Sequence, residues 1–332
     1  MATYKGIKGV KVVTKTSDPT ASEAVGTVWY NSTSPATLKY AIEGAGTWAA
    51  SNPLNTARNA LGAQVGTQTA ALCMDGRGNE ATLNVTELYD GTSWTEVADS
   101  VSTLYGRGSF GTQTAAISAG GQGPPASNVT EDWDGTSWTL TGVGINEARR
   151  DSCGCGIQTA GLITTGKTAT AVTATTETWN GSTWTEVGDV NTARQEVAAA
   201  NGSPVTAALI FGGNTPSPAT NATESWNGTT WTEVNNLVVA RTYMAGSGIQ
   251  TAAFGIGGHT TTPGVPGYTA TTEQFDGTSW TEVADLASAR SSGGGCGSST
   301  ASVTFGGYLV GVINLTEEFN SPVYTVKTVT VS

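Results

Sequence analysis

Glutamate and arginine recur at regular intervals along this chain, and their spacing is the first feature that could do chemistry. Glu87, Glu131, Glu177, Glu224, Glu273 and Glu317 each stand two residues before an aromatic side chain, so strand alternation puts both on one face. Arg58, Arg107, Arg149 or Arg150, Arg194, Arg241 and Arg290 recur once per interval. Two uses fit such a set. The charges could ring a ligand, or each arginine could brace a glutamate that would otherwise be buried without a partner. The brace is the expected use, because catalytic groups are not copied into every repeat.

Other reactive groups are sparse. A single histidine, His259, removes Ser-His-Asp triads and most zinc, copper and iron sites. Cys73, Cys153, Cys155 and Cys296 are too few and too irregular for a disulfide scaffold or a CxxC clamp, and free thiols are expected. Cys155 and Cys296 share a repeat position on opposite sides of a six-fold ring, beyond disulfide reach. Asp90, Asp134 and Asp276, with Asn180 and Asn227, precede a glycine in a turn. Calcium binding and Asx capping both suit them, and capping is the ordinary use. No cofactor and no catalytic residue is expected.

The elements that position these residues follow from an internal repeat. The segment TELYDGTSWTEV (86–97) returns at 130–141, 176–187, 223–234 and 272–283, with a truncated copy at 316–320 and a looser one at 38–48. Its tryptophans are Trp48, Trp94, Trp138, Trp184, Trp231 and Trp280, spaced by 46, 44, 46, 47 and 49 residues. After each tryptophan come the arginine, a Thr-Ala pair such as GTQTAAL (66–72), and a glycine pair such as Gly257-Gly258. The first and third units keep one glycine there, Gly76 and Gly166, and are taken to lack the second.

An aromatic residue, Asp/Asn-Gly, two hydroxyl residues and Trp describe a hairpin. The short apolar run before each glycine pair suits a buried strand. No sustained helical stripe occurs. Six units of four short strands are the signature of a propeller, in which each blade buries its faces against its neighbours. The tryptophans are expected in that packing rather than in sugar stacking. The expected fold is all-β, a six-bladed propeller with a short N-terminal arm and hairpin.

Composition agrees. Charged residues are 12% of the 332 and the aromatics recur in register, unlike disordered sequence. No apolar run is long enough to insert in a membrane. A net charge of -11 argues against nucleic acid as a partner.

The order Arg241, Gly257-Gly258, Phe275, Trp280 resembles the kelch repeat, and the other units follow it over roughly residues 48–320. The DGTSW turn is similar to the Asp box of sialidases, but its Asp-to-Trp interval is one residue short. Separately, the opening YKGIKGVKVVTKTSDPTASEAVGTVWYNSTSPATLKY and the near-identical NTAR, GTQTA and DGTSWTEV units resemble kelch-like virion proteins of tailed phages from marine bacteria. The segment GTVWYNSTS (26–34) is similar to hairpins of phage fibre and appendage proteins. These resemblances imply a non-enzymatic virion structural or appendage protein, displaying its propeller for decoration or attachment to a host-surface glycan.

Residues 1–36 are expected to form an attachment arm and hairpin, and 37–332 the propeller. Two closures fit. Either the 38–48 strand completes the last blade beside Glu317 to Asn320, or the alternating tail 323–331 does and 26–48 forms a separate small hairpin domain; the first keeps the ten-residue Trp-to-Arg spacing seen at Trp184 and Arg194. Lys5, Lys8, Lys11 and Lys15 make the arm basic beside an acidic ring, which suits docking to other virion proteins, with a further copy on the particle as another partner. Residues 1–18 lack the apolar stretch of a secretory signal, so export by that route is not expected. A bacterial surface or secreted carbohydrate-binding propeller is the first alternative, and a propeller enzyme acting on glycans the second. The loops after the glycine pairs vary most. Asp75, Arg77 and Glu80 in the first unit, His259 and Tyr268 in the fifth, and Tyr308 in the sixth are the ligand-binding candidates.

Overall fold

The computed structural model describes residues 12–19, 27–33, 37–43, 46–61, 63–123, 125–215, 218–260, 267–321 and 324–329. The chain forms two compact units, Met1–Thr47 with Ser321–Ser332, and Trp48–Asn320. Among the described residues all regular structure is β.

The larger unit holds six four-stranded antiparallel sheets. In chain order they are Ala63–Thr67, Ala70–Arg77, Thr82–Tyr89 and Trp94–Glu96; Gly108–Thr112, Ala115–Ala119, Thr130–Trp133 and Trp138–Leu140; Cys153–Ile157, Ala160–Thr164, Thr176–Trp179 and Trp184–Glu186. Next come Ala198–Ala199, Leu209–Phe211, Thr223–Trp226 and Trp231–Val234; then Ala245–Ile249, Ala252–Ile256, Thr272–Phe275 and Trp280–Glu282. The sixth sheet is Gly294–Ser298, Ala301–Phe305, Thr316–Asn320 and, from the start of the chain, Thr47–Ser51. The first strand of each sheet packs on the first strand of the next, and Gly294–Ser298 packs on Ala63–Thr67, so the series closes.

The hairpins form where the repeat places them. Tyr89 pairs with Trp94 across the turn, and Trp133–Trp138, Trp179–Trp184, Trp226–Trp231 and Phe275–Trp280 keep the same register. In each turn the Asp or Asn side-chain oxygen accepts the amides two and three residues on, as Asp90 Oδ1 does from Thr92 and Ser93 at 2.8 and 2.7 Å. The turn carboxylates are therefore occupied as Asx caps.

Cohesion lies between sheets. Each of six apolar clusters joins two neighbours, for example Phe110, Ile117 and Ala119 of the second sheet with Ile163, Trp179 and Trp184 of the third. Every repeat tryptophan donates its indole N–H to a buried threonine of the preceding sheet. Trp94 reaches Thr316, Trp138 Thr86, Trp184 Thr130, Trp231 Thr176, Trp280 Thr223 and Trp48 Thr272, all at 3.0–3.1 Å. The Trp48 and Trp94 bonds carry this series across the ring junction.

The repeated charges pair within sheets. Arg58–Glu87, Arg107–Glu131, Arg149–Glu177, Arg194–Glu224 and Arg241–Glu273 lie 2.7–3.0 Å apart, and Arg290 pairs with Glu317. All twelve side chains are buried. Each carboxylate also caps loop amides, as Glu177 does for Asn146 at 2.7 Å and Glu147 at 3.4 Å.

Two repeat positions differ from what the sequence spacing predicts. In the second unit the arginine column holds Leu104, ten residues after Trp94, and Arg107 reaches Glu131 from three positions further on. In the first and third units the missing glycine is the first of the pair. Asp75 and Thr165 occupy that place with φ of 58° and 61°, the left-handed well that aspartate visits more readily and a β-branched threonine only under strain. The second position has φ between 100° and 116° in all six units and is always glycine.

The smaller unit is one sheet with the order Val12–Lys15, Val28–Asn31, Thr37–Glu43 and Tyr324–Thr328. The tail therefore pairs with Thr37–Glu43 rather than completing the ring. The expected division at residue 36 is displaced to Thr47/Trp48, because Thr37–Glu43 finds its partners in this sheet and only the strand carrying Trp48 joins the ring. Trp29 and Leu38 are buried here. Asp18 gathers Trp29 Nε1 at 3.1 Å, Asn31 Nδ2 at 2.7 Å and Lys39 Nζ at 2.5 Å.

Glu177→Ala leaves Arg149 buried without its counter-ion and is expected to cost about 3–5 kcal/mol in denaturant unfolding. Replacing the pair together, with Arg149→Met and Glu177→Leu, is expected to retain about 1–3 kcal/mol of that loss, because the Asn146 and Glu147 amides stay unpaired. Full recovery in the double variant would show that the ion pair alone matters.

Candidate functional site

In an antiparallel four-stranded sheet, the connections between strands two and three and into the next sheet leave from the same end. The repeat concentrates its variable loops there, and that end of the ring is the candidate site.

Around the axis at this end runs a closed circle of main-chain hydrogen bonds. Gly106 N donates to Ala60 O at 3.0 Å, Asp151 N to Gly106 O at 2.6 Å and Glu196 N to Asp151 O at 3.0 Å. Tyr243 N donates to Glu196 O at 3.2 Å, Ser292 N to Tyr243 O at 2.8 Å and Ala60 N to Ser292 O at 2.9 Å. All six residues are left-handed, with φ from 47° to 62°. Five of them are not glycine, and strain of this kind persists only where surrounding structure holds it. Each stands two residues past the arginine column, so the buried braces anchor the loops that carry the rim.

Two acids and a tyrosine share this rim. Asp151 sits over Gly106, where an added Cβ would meet its Oδ1 at 2.5 Å, and it pairs with Arg150 at 2.5 Å. Burial pushes the Asp151 carboxyl up to about 6, opposed by Arg150 and reinforced by Glu196. Glu196 accepts from Thr242 Oγ1 at 2.6 Å and from Gln195 Nε2 at 3.0 Å. Burial and Glu196 raise the Tyr243 hydroxyl well above its ordinary value. Below the rim the axis is blocked. Asn201 crosses from the fourth sheet to donate to Gln64 O at 3.0 Å and Gly295 O at 2.7 Å. Small cavities of about 70 and 50 Å³ remain along the axis, the larger lined by rim residues including Asp151, Glu196 and Tyr243.

Outside the rim, the residue after each glycine pair forms a second circle: Arg77, Gln122, Lys167, Asn214, His259 and Tyr308. They pair through the backbone with Asn59, Tyr105, Arg150, Gln195, Thr242 and Ser291. Three of the sequence candidates come together here. His259 meets Tyr268 edge to face with ring centres 5.2 Å apart, and Tyr268 meets Tyr308 in a tilted contact at 5.8 Å. With Tyr243, Asn59, Ser291 and Ser292 they line an open cleft of about 320 Å³.

The first-unit candidates do not assemble with them. Arg77 lies with its guanidinium 5.2 Å from the Tyr105 ring, and Glu80 is exposed. Asp75 is fully buried, 3.2 Å from Arg107 and bonded to Ser100. It is a structural partner of the displaced Arg107, which it shares with Glu131, and its place as a ligand candidate is withdrawn. All four cysteines are free and buried. Lys5, Lys8 and Lys11 lie outside the described residues, and Lys15 is exposed. No three His, Cys, Asp or Glu gather as metal ligands among the described residues.

Sequence reading missed the rim circle, the axial Asn201 and two repeated adhesive groups. One is the threonine before each glutamate, which receives the indole. The other is the glutamine of GTQTA and GIQTA. Gln68, Gln113, Gln158 and Gln250 donate to the main-chain oxygen of Phe319, Tyr89, Trp133 and Trp226 at 2.5–2.8 Å, each in the preceding sheet. Both groups were visible as columns of the repeat.

A ring of four-stranded antiparallel sheets, meeting along their first strands, defines a β-propeller-type protein. Among solved structures the chain resembles YjhT, with a TM-score of 0.68 over 83% of this chain and 99% of that one. At 11% identity the likeness is one of fold. No family model and no curated protein sequence matches the chain.

Burial, offset by Arg107 and Ser100, raises the Asp75 carboxyl to about 7. The folded state therefore holds a proton that the unfolded chain has released above its ordinary pKa near 3.8. That contribution is lost as pH rises through 7. Between pH 5 and pH 8 the wild type is expected to lose about 2 kcal/mol that Asp75→Asn retains, read as diverging thermal midpoints. Parallel pH profiles for the two proteins would reject the raised value.

Proposed function

We propose that the chain is a non-enzymatic phage virion protein, a six-bladed kelch-like β-propeller displayed outward for particle decoration or attachment to a host-surface glycan. The observation that carries the reading is the fate of the repeated charges. All six arginines and six glutamates of the repeat are spent inside the sheets. What remains for recognition is the variable end, where side chains differ from unit to unit on a constant frame. The order of arginine, glycine pair, aromatic residue and tryptophan supports the kelch-like assignment. The wording of the opening segment supports the virion. The basic arm, of which Lys15 is exposed, serves to dock the protein on other virion proteins, and further copies decorate the same particle. Mass spectrometry of purified particles is expected to find the protein in stoichiometric amount. Its absence from particles, with detection on uninfected cells, would favour a bacterial surface or secreted carbohydrate-binding propeller.

One observation favours an enzyme acting on glycans as a second reading. Asp151, with its carboxyl raised to about 6, stands beside Glu196 at the rim, and a raised carboxyl next to a second acid suits glycosyl hydrolysis. Incubation with oligosaccharides is expected to release no new reducing ends. Release that Asp151→Asn abolishes would establish this reading instead.

A further inference from the structure

The repeats are near-copies, so positions where one unit departs from the rest stand out. On the variable end, three columns carry no aromatic ring in most units. The column of His259 and Tyr308 holds Arg77, Gln122, Lys167 and Asn214 elsewhere. The column of Tyr268 holds Ala126, Val172, Ala219 and Val312. The column of Tyr243 holds Ala60, Gly106, Asp151, Glu196 and Ser292. Four ring-bearing departures, taken from three columns and two adjacent sheets, converge on one cleft. They are also kept at the surface at a cost. Tyr243 is left-handed at φ 56°, a strained state for a bulky residue, and remains 37% exposed.

Chemistry narrows the occupant. Among the described residues the cleft lining carries three tyrosines, one imidazole, an asparagine amide and two serines, and no lysine, arginine, aspartate or glutamate. Anionic ligands need a paired cation, which the lining lacks, and the chain's charge of -11 repels them. The rings meet at 77° and 51° and so present staggered faces and edges rather than a cage around one point. Aromatic faces beside small hydroxyl and amide groups suit a ligand with an apolar face and a hydroxylated edge. We propose that the cleft of Tyr243, His259, Tyr268 and Tyr308 binds a neutral pyranose, stacked on a tyrosine ring with its hydroxyls bonded to Asn59, Ser291, Ser292 and His259. This rests on the surface-attachment reading above and names its ligand class and site.

The test uses the purified full-length chain on immobilised neutral oligosaccharides ending in galactose, glucose, mannose or N-acetylglucosamine, beside sialylated and sulfated counterparts. Capture on at least one neutral chain is expected. Tyr268→Ala and Tyr308→Ala are each expected to weaken it at least tenfold, with unchanged tryptophan fluorescence and thermal midpoint. Tyr268→Phe, which keeps the ring, and Tyr105→Ala, outside the cleft, are expected to bind within threefold of wild type. The proposal is overturned if no neutral chain is captured, if only charged chains are, or if capture survives both alanine variants. Any of these results leaves the particle measurement standing, so loss of the saccharide site and loss of the virion reading are told apart.

Discussion

A buried carboxylate cannot stay charged without partners, and that requirement organises this molecule. In each ring sheet a glutamate on the third strand draws an arginine and loop amides to itself. The loop it draws is the one that enters the sheet along the axis. Two residues past that arginine column the chain turns left-handed and joins the rim. The brace is thus what lets Ala60, Asp151, Glu196, Tyr243 and Ser292 sit in a conformation they would not choose. The second unit shows how strict the requirement is. Leu104 takes the usual arginine place, yet Arg107 still arrives at Glu131, and Asp75 joins it from the neighbouring sheet.

Sheets adhere to one another by groups distinct from those that build them. Indoles reach threonines, glutamines reach main-chain oxygens, and apolar side chains fill each junction. None of these uses the variable end. The frame is therefore held by residues other than those that vary at this end, and the rings of the cleft differ between units while the frame does not.

Much of this was readable beforehand. Tryptophans spaced by 44–49 residues, with an Asx-Gly turn before each, fixed the hairpins and the repeat. The pairing of arginine with glutamate followed from burial alone. His259, Tyr268 and Tyr308 were singled out from loop variability, and they meet. Other features left no local mark. A left-handed alanine, glutamate or tyrosine has no signature of its own, unlike a glycine at φ above 100°. Asp75 looked like a loop acid because its partner, Arg107, stands out of column. The unit boundary was misplaced because Thr37–Glu43 and the tail are both ordinary strands, and only their mutual pairing decides where they belong.

The sixth sheet joins Thr47–Ser51 to strands that lie at the far end of the sequence. As the chain leaves the ribosome, the strand bearing Trp48 has no sheet to enter until Thr316–Asn320 has emerged. All of the chain between Thr47 and Asn320 must be synthesised before the ring can shut, and loop closure over that length is slow to be rewarded. A prematurely terminated chain would leave Trp48 stranded and the first and fifth sheets each with an uncovered flank, which makes the incomplete product distinguishable from the finished one by its stickiness alone.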